Sequence, residues 1–342
     1  MHLARVLPIC ALALPACSSP IMPPPRTPAQ PWSFVAQGVS GKDHLQRFDR
    51  ADFDLLHGLG ARDFAYVPFA IMPDPVGPEI RARAPEPRER ELVEQAHAAG
   101  LRVLLKPHLW IDQSWHGAVA MGSEADWRSF FTTYTAFMFA WARFAAENDV
   151  SALCVGTELD GTLSREREWR ELIAAVRAVY PGRLVYAAHW DRIEDVPFWD
   201  ALDAIGVNAY FPLDVRGDAT LDALLAAWRP ICADLERLSD RHARPIVFTE
   251  IGYRPLVGAL ARPWKADAVG ELDLQLQARA YEAALTTFED QSWFGGLYWW
   301  EWFSESFRAR SGPGWCGYSP QGNPAEDVLR AHGSARSAKQ GG

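Results

Sequence analysis

The chain is short of several things that would each have decided its class. It has five cysteines in 342 residues. Two of them, Cys10 and Cys17, fall in the first 17 positions. The remaining Cys154, Cys232 and Cys316 are too few for a disulfide framework. A Cys232–Cys316 bridge is compatible with the sequence but not demanded by it. No G-x-G-x-x-G and no G-x-x-x-x-G-K-[ST] occurs, so nothing marks a dinucleotide or nucleotide phosphate turn. No Lys/Arg run tracks a phosphate backbone, and the net charge is −9, which argues against nucleic acid. No H-E-x-x-H is present, so no metal is expected, although His108, His189, Asp191 and Glu250 come from different strands. No cofactor is expected either.

The first 31 residues are set apart from the fold. Met1–Arg5 is a short basic stretch, and Val6–Ala16 is apolar but too short to span a bilayer. Leu14-Pro-Ala-Cys17 has the form of a lipobox, with Cys17 as the lipidated residue. Residues 1–16 are thus expected to be a signal peptide and 17–31, rich in proline, an extended tether. This predicts a lipid-anchored protein of the bacterial cell envelope, touching the membrane only through its anchor. Residues 335–342 are expected to be a disordered tail. Nothing in the sequence asks for a partner chain, so a monomer is expected.

What is present is aromatic and periodic. Hydrophobic residues make up 49% of the chain, and 15 are tryptophan. Indole rings are large, flat and carry one N–H, which suits the apolar face of a sugar as well as a core. From residue 32 to 334, apolar runs alternate with amphipathic stretches. The predicted strands are Phe34–Ser40, Phe64–Met72, Arg102–Trp110, Ala152–Leu159, Leu184–Trp190, Ala204–Phe211, Pro245–Tyr253 and Gly295–Trp302. The predicted helices are Asp49–Leu59, Arg88–Ala99, Glu124–Glu147, Arg165–Val179, Val196–Leu202, Leu221–Asp240, Leu272–Asp290 and Ala325–Ala331. Eight βα units without an internal linker predict a single (β/α)8 TIM barrel of the α/β class. The rival doubly wound sheet lacks its phosphate turn.

In such a barrel the chemistry lies at the C-terminal strand ends. Two strands end on glutamate: Cys154-Val-Gly-Thr-Glu158 and Ile246-Val-Phe-Thr-Glu250, 92 residues apart. A carboxylate is costly to bury there unless it is paired, wet or functional. The other strand ends supply His108 and Trp110, His189, Asn208 and Tyr210, Tyr253, and Trp300. Two carboxyls on one rim are what glycoside hydrolysis requires, one as nucleophile and one as acid then base, roughly 5–5.5 Å apart in a retaining enzyme. Period-2 alternation places Cys154 and Gly156 on the face of Glu158, and Ile246 and Phe248 on that of Glu250. Trp299 and Trp300 point opposite ways, with Trp300 expected to face the site.

These residues carry a resemblance. Val155-Gly-Thr-Glu158-Leu159, the helix Trp169–Tyr180, Phe198–Pro212, Phe248-Thr-Glu250-Ile-Gly-Tyr253, Tyr298-Trp-Trp-Glu-Trp302 and Tyr318–Glu326 together resemble glycoside hydrolase family 113 of clan A, including its lipoprotein relatives. The resemblance implies Glu158 as acid/base and Glu250 as nucleophile, with a β-1,4-mannan-like carbohydrate as substrate. His108, Trp110, His189, Asn208, Tyr210, Tyr253 and Trp300 are then the expected sugar contacts, with Tyr210 also orienting the nucleophile. Thr157 stands where many clan A enzymes carry Asn, and His189 and Glu301 stand where the family pattern implies Asn and Lys. To act as an acid near neutrality Glu158 would need a raised pKa. The alternatives are a clan A glycosidase for another β-glycan, or an envelope lipoprotein that binds glycans without turnover.

Overall fold

The first and last strands close the sheet on each other, and that closure places every strand end on one rim. The computed structural model describes residues 36–42, 47–111, 114–215, 219–311 and 317–340. Its strands are β1 (Ala36–Lys42), β2 (Asp63–Val67), β3 (Phe69–Met72), β4 (Arg102–Leu105), β5 (His108–Ile111), β6 (Ala152–Thr157), β7 (Arg183–His189), β8 (Ala204–Asn208), β9 (Ile246–Ile251) and β10 (Phe294–Trp299). Eight of them form a closed barrel in the order β1-β2-β4-β6-β7-β8-β9-β10, with β10 returning to β1. Every pairing is parallel. The fold is a (β/α)8 TIM barrel.

The helices are α1 (Arg50–Gly58), α2 (Pro87–Ala98), α3 (Glu124–Glu147), α4 (Glu166–Val179), α5 (Leu221–His242), α6 (Leu274–Phe288), α7 (Glu305–Ser311) and α8 (Pro324–Gln340). Their starts follow from capping chemistry. The side chains of Asp49, Ser123, Thr220 and Asp273 accept from first-turn N–H groups of α1, α3, α5 and α6, satisfying donors that a helix leaves open. Among the described residues no helix is long and apolar enough to cross a membrane.

Two predicted strands are each divided. Phe64–Met72 breaks at Pro68 into β2 and β3, and Arg102–Trp110 breaks at Lys106-Pro107 into β4 and β5. Proline has no N–H for the ladder. The distal halves pair with each other, Phe69 opposite His108, as a small parallel sheet beyond the barrel. That extension lifts His108 and Trp110 to the rim.

The predicted helix Val196–Leu202 does not form. Two 3₁₀ turns, Ile193–Asp195 and Trp199–Ala201, take its place. Pro197 restricts the backbone between them, and buried Trp199 donates its indole N–H to the Ile193 carbonyl at 3.0 Å. At the other end, α8 continues to Gln340, past the boundary at 334. A Cβ on Gly60 would come within 2.2 Å of the Gly333 Cα, so the mutual absence of side chains seats α8 against the end of α1. Cys154 is buried and Cys232 half-buried, both as free thiols. Cys316 lies outside the described residues, as do the segments 1–35 and 341–342.

The expected alternation on the two glutamate strands is corrected. The barrel interior holds Ala65, Leu104, Ala152, Cys154, Val185, Ala187, Ala204, Val247 and Tyr298. Cys154 is inside as expected, but a Cβ on Gly156 would meet Trp169 of α4 and Tyr186 at 2.6–2.9 Å, so this position faces the helical layer. Ile246 and Phe248 likewise join the core between sheet and helices, where Phe248 meets Trp228, Phe288 and Phe294. Register shifts between Cys154 and Thr157 and between Val207 and Asn208 account for the change. An extra residue in the strand reverses the parity beyond it.

Candidate active site

Glu158 follows β6 in the left-handed region, at φ 48°, a conformation uncommon outside glycine. Its backbone N–H still donates to the Ala187 carbonyl at 2.8 Å. The residue is 8% exposed, and its side chain is surrounded by donors. Oε1 accepts from Asn208 Nδ2 at 2.8 Å, and Oε2 from Trp115 Nε1 at 3.0 Å. His116 Nε2 lies 3.3 Å from the same Oε2.

Glu250, on β9, is held differently. Lys106 Nζ is 2.5 Å from Oε1, and the Tyr210 hydroxyl donates to Oε2 at 2.8 Å. His108 Nε2 stands 3.9 Å from Oε1. Burial and the adjacent Glu250 charge push the Tyr210 hydroxyl well above its usual range, so it stays a donor. Asn208 joins the two carboxyls. Its Oδ1 accepts from Lys106 Nζ at 3.1 Å and Thr249 Oγ1 at 2.9 Å, which leaves its amide N–H for Glu158.

The surroundings of Glu158 work against the raised pKa that an acid near neutrality would need. Burial alone would raise it, but the His116 hydrogen bond, the charges of His116 and His189, and the Trp115 N–H outweigh burial and bring the carboxyl down to about 2. The neighbouring Asp160 moves the other way. Burial, then the Glu158 charge, raises its carboxyl to about 6.

The remaining predicted residues fall at varied depths. Trp300 sits over His108 with ring planes 4° apart and centroids 6.4 Å apart. Trp299 turns outward and stacks on Tyr281 of α6 at 3.7 Å. His189 is bound through Nδ1 to Asp191 Oδ1 at 2.5 Å, and its ring meets Trp115 edge-on at 5.4 Å. Trp110 lies two residues beyond His108 on β5 and is 48% exposed. Tyr253 is not at the rim and is corrected as a sugar contact. Its side chain is fully buried in the core, and its carbonyl accepts from Gln277.

Three residues of the cluster escaped the sequence reading: Lys106, Trp115 and His116. Lys106 carried a signal, because it is one of four lysines in the chain, with Lys42, Lys265 and Lys339, and it interrupts an apolar strand. Trp115 and His116 carried none, lying in an aperiodic loop. Among the described residues no group of three or more His, Cys, Asp or Glu side chains is arranged to hold a metal ion.

Comparison with known proteins agrees with this geometry. Residues 66–322 match the profile of Glycoside Hydrolase Family 113. The solved GH113 β-mannanase from Alicyclobacillus acidocaldarius, in complex with ManMIm, is 28% identical over 90% of this chain and 99% of its own, with a TM-score of 0.77. A GH113 β-1,4-mannanase solved as a complex is 24% identical over 89% of this chain and 99% of its own, also at 0.77, and attests the fold. A β-glucuronidase from Ruminococcus gnavus in complex with D-glucuronic acid shares the fold at 15% identity, covering 87% of this chain and 49% of its own, with a TM-score of 0.58. No curated protein matches the chain. Since the matched span includes both glutamates and every group that contacts them, the chain is a glycoside hydrolase and belongs to Glycoside Hydrolase Family 113.

Proposed function

We propose that this glycoside hydrolase is a retaining β-mannanase of endo action, held at the bacterial cell envelope by a lipid on Cys17. The observation that carries the mechanism is the contrast between the partners of the two carboxyls. Glu250 is paired with a buried ammonium and a tyrosine hydroxyl, an environment suited to a permanent carboxylate that attacks the anomeric carbon. Glu158 is surrounded by an indole, an amide and an imidazole, and one of these can exchange a proton. Glu158 therefore protonates the leaving oxygen and later deprotonates the water that releases the sugar from Glu250.

The substrate reading is supported by the β-mannanase from Alicyclobacillus acidocaldarius, which spans nearly the whole barrel. Endo action is supported by exposed indoles around the barrel mouth, Trp110 on β5 and Trp115 and Trp264 on loops, each 40–48% exposed. Several flat apolar faces suit a polymer better than a single sugar. The anchor rests on the sequence of residues 14–17.

The test is to incubate the purified protein with 2-deoxy-2-fluoro glycosyl fluorides and map the adduct by mass spectrometry. A manno-configured label on Glu250 is expected. Failure of both manno- and gluco-configured reagents to label it would remove the retaining mechanism. Digestion of β-1,4-mannan with product lengths resolved should give a spread of oligosaccharides, and release of monosaccharide alone would remove endo action. Loss of metabolic acyl labelling in Cys17→Ala tests the anchor.

A further inference from the structure

The loop after β5 brings Trp115 and His116 to the same oxygen of Glu158, at 3.0 and 3.3 Å, while Asn208 holds the other oxygen at 2.8 Å. Three donors around one carboxyl favour its charged, accepting form. A general acid, however, must carry a proton on one oxygen when the substrate arrives. Neither the indole nor the amide N–H can be given up. Among these partners of Glu158, His116 alone has a transferable proton.

We propose that His116 is the positioning residue that holds the proton Glu158 delivers to the leaving group. The inference rests on the glycosidase reading above and adds a route for its proton. In the first half-reaction the imidazolium Nε2–H passes to Oε2, leaving His116 neutral and Glu158 as the acid. Oε2–H then protonates the glycosidic oxygen as its bond to the anomeric carbon breaks, the electron pair staying on oxygen. The Glu250 carboxylate forms the new bond to that carbon. In the second half-reaction Glu158 takes a proton from water, whose oxygen displaces Glu250. That proton returns from Oε2 to Nε2, so one water is consumed and both groups recover their starting state.

The surroundings suit this exchange. The His116 side chain is 25% exposed, at the solvent edge of the cluster. It faces Glu158 and, edge-on at 5.9 Å, His108 of β5. Glu158 additionally feels His189 from the end of β7 and interacts with Asp160. The Glu250–Lys106 pair is linked to it across Asn208. His189 is engaged by Asp191 at 2.5 Å, which leaves His116 as the exchanging imidazole.

The test compares His116→Gln, which keeps an N–H donor but cannot store a proton, with His116→Ala and the native protein. Substrates are aryl β-mannobiosides of graded leaving-group acidity and unactivated mannotetraose, with gluco- and galacto-configured counterparts. For both variants at pH 7, kcat/KM should fall about threefold with 2,4-dinitrophenol as leaving group and about 100-fold with mannotetraose, the scale of lost general-acid assistance. The alkaline limb of kcat/KM should move to lower pH by at least about one unit, because Glu158 must then retain its own proton. A uniform loss across leaving groups with an unmoved limb, or native activity in His116→Gln, would overturn the proposal while leaving the glycosidase reading intact. No turnover of any of these substrates by the native protein would overturn that reading and the proton route with it.

Discussion

Lys106 Nζ and Glu250 Oε1 are 2.5 Å apart, with the lysine fully buried and the glutamate 7% exposed in its side chain. The ammonium also donates to Asn208 Oδ1 and the Thr249 carbonyl. One cation thus orders both β8 and β9 at the barrel mouth. It fixes Glu250 directly and, through Asn208, Glu158.

Replacing Lys106 with Met should therefore affect two quantities. Activity on a β-mannan oligosaccharide should fall by about 10²–10³-fold, the scale of losing one preorganised charged donor. Stability should fall by roughly 3 kcal/mol, because Glu250 is left as an uncompensated buried charge. Lys106→Met/Glu250→Gln should recover most of that stability with no recovery of activity. Urea denaturation of the two variants checks this. Equal stability loss in both would mean that packing, rather than the charge pair, is what Lys106 contributes.

Gly117 controls the placement of Trp115. A Cβ at residue 117 would lie 2.3–2.5 Å from the six-membered ring of Trp115, too close for the indole to keep its place. Gly117→Ala should displace that ring and break its hydrogen bond to Glu158 Oε2. A hydrogen bond to a charged group is worth about 1.5–3 kcal/mol, so kcat/KM should fall by about 10-fold or more. The melting temperature should change little, since Trp115 is 44% exposed. Native activity in this variant would show that the indole contact is dispensable.

What the sequence could convey follows from the kind of information each feature needs. The strand–helix alternation and the helix caps are local patterns, and Glu124–Glu147 was read to the residue for that reason. Glu158 and Glu250 stood out because carboxylates at the ends of apolar strands are energetically anomalous. Which strand residues share a face with them was not legible. The register shifts near Gly156 and Asn208 reverse side-chain parity and are not encoded in hydrophobic alternation. Tyr253 follows Glu250 at the strand end, and its burial in the core depends on packing that its place in the chain does not specify. Trp115 and His116 reach Glu158 from a loop, where no periodicity links a residue to its spatial neighbour.

Trp300 offers a ring whose plane lies parallel to that of His108. Sugar binding at that face would draw on indole contact area rather than on acid–base chemistry. Trp300→Ala should thus raise KM for oligosaccharides by about tenfold, equivalent to about 1.4 kcal/mol, with a smaller change in kcat. Trp299→Ala, which removes the ring stacked on Tyr281, should instead lower stability by roughly 3 kcal/mol or more, as large core truncations do. If kcat fell as steeply as KM rose in Trp300→Ala, the ring would be acting on the transition state.

Asp160 gives a pH-dependent prediction of known sign. Neither of its carboxyl oxygens has a hydrogen-bond partner among the described residues. Burial and the Glu158 charge raise its carboxyl from 3.8 to about 6. The folded protein therefore holds this proton at pH values where the unfolded chain has lost it. Folding stability falls as pH rises from about 4 to about 6, and the cost persists above that range. Asp160→Asn removes the titration while keeping the shape of the side chain. It should stabilise the protein at pH 7.5 by about 1–3 kcal/mol, the scale of a shift of about two units in a partly exposed group. At pH 4 the gain should vanish, because the native carboxyl is then neutral as well. Melting temperatures of the native protein and Asp160→Asn at the two pH values decide the matter. An equal gain at both would locate the benefit in the amide's own hydrogen bonds, and a loss at pH 7.5 would mean that the ionised carboxylate is satisfied by water and contributes to the fold.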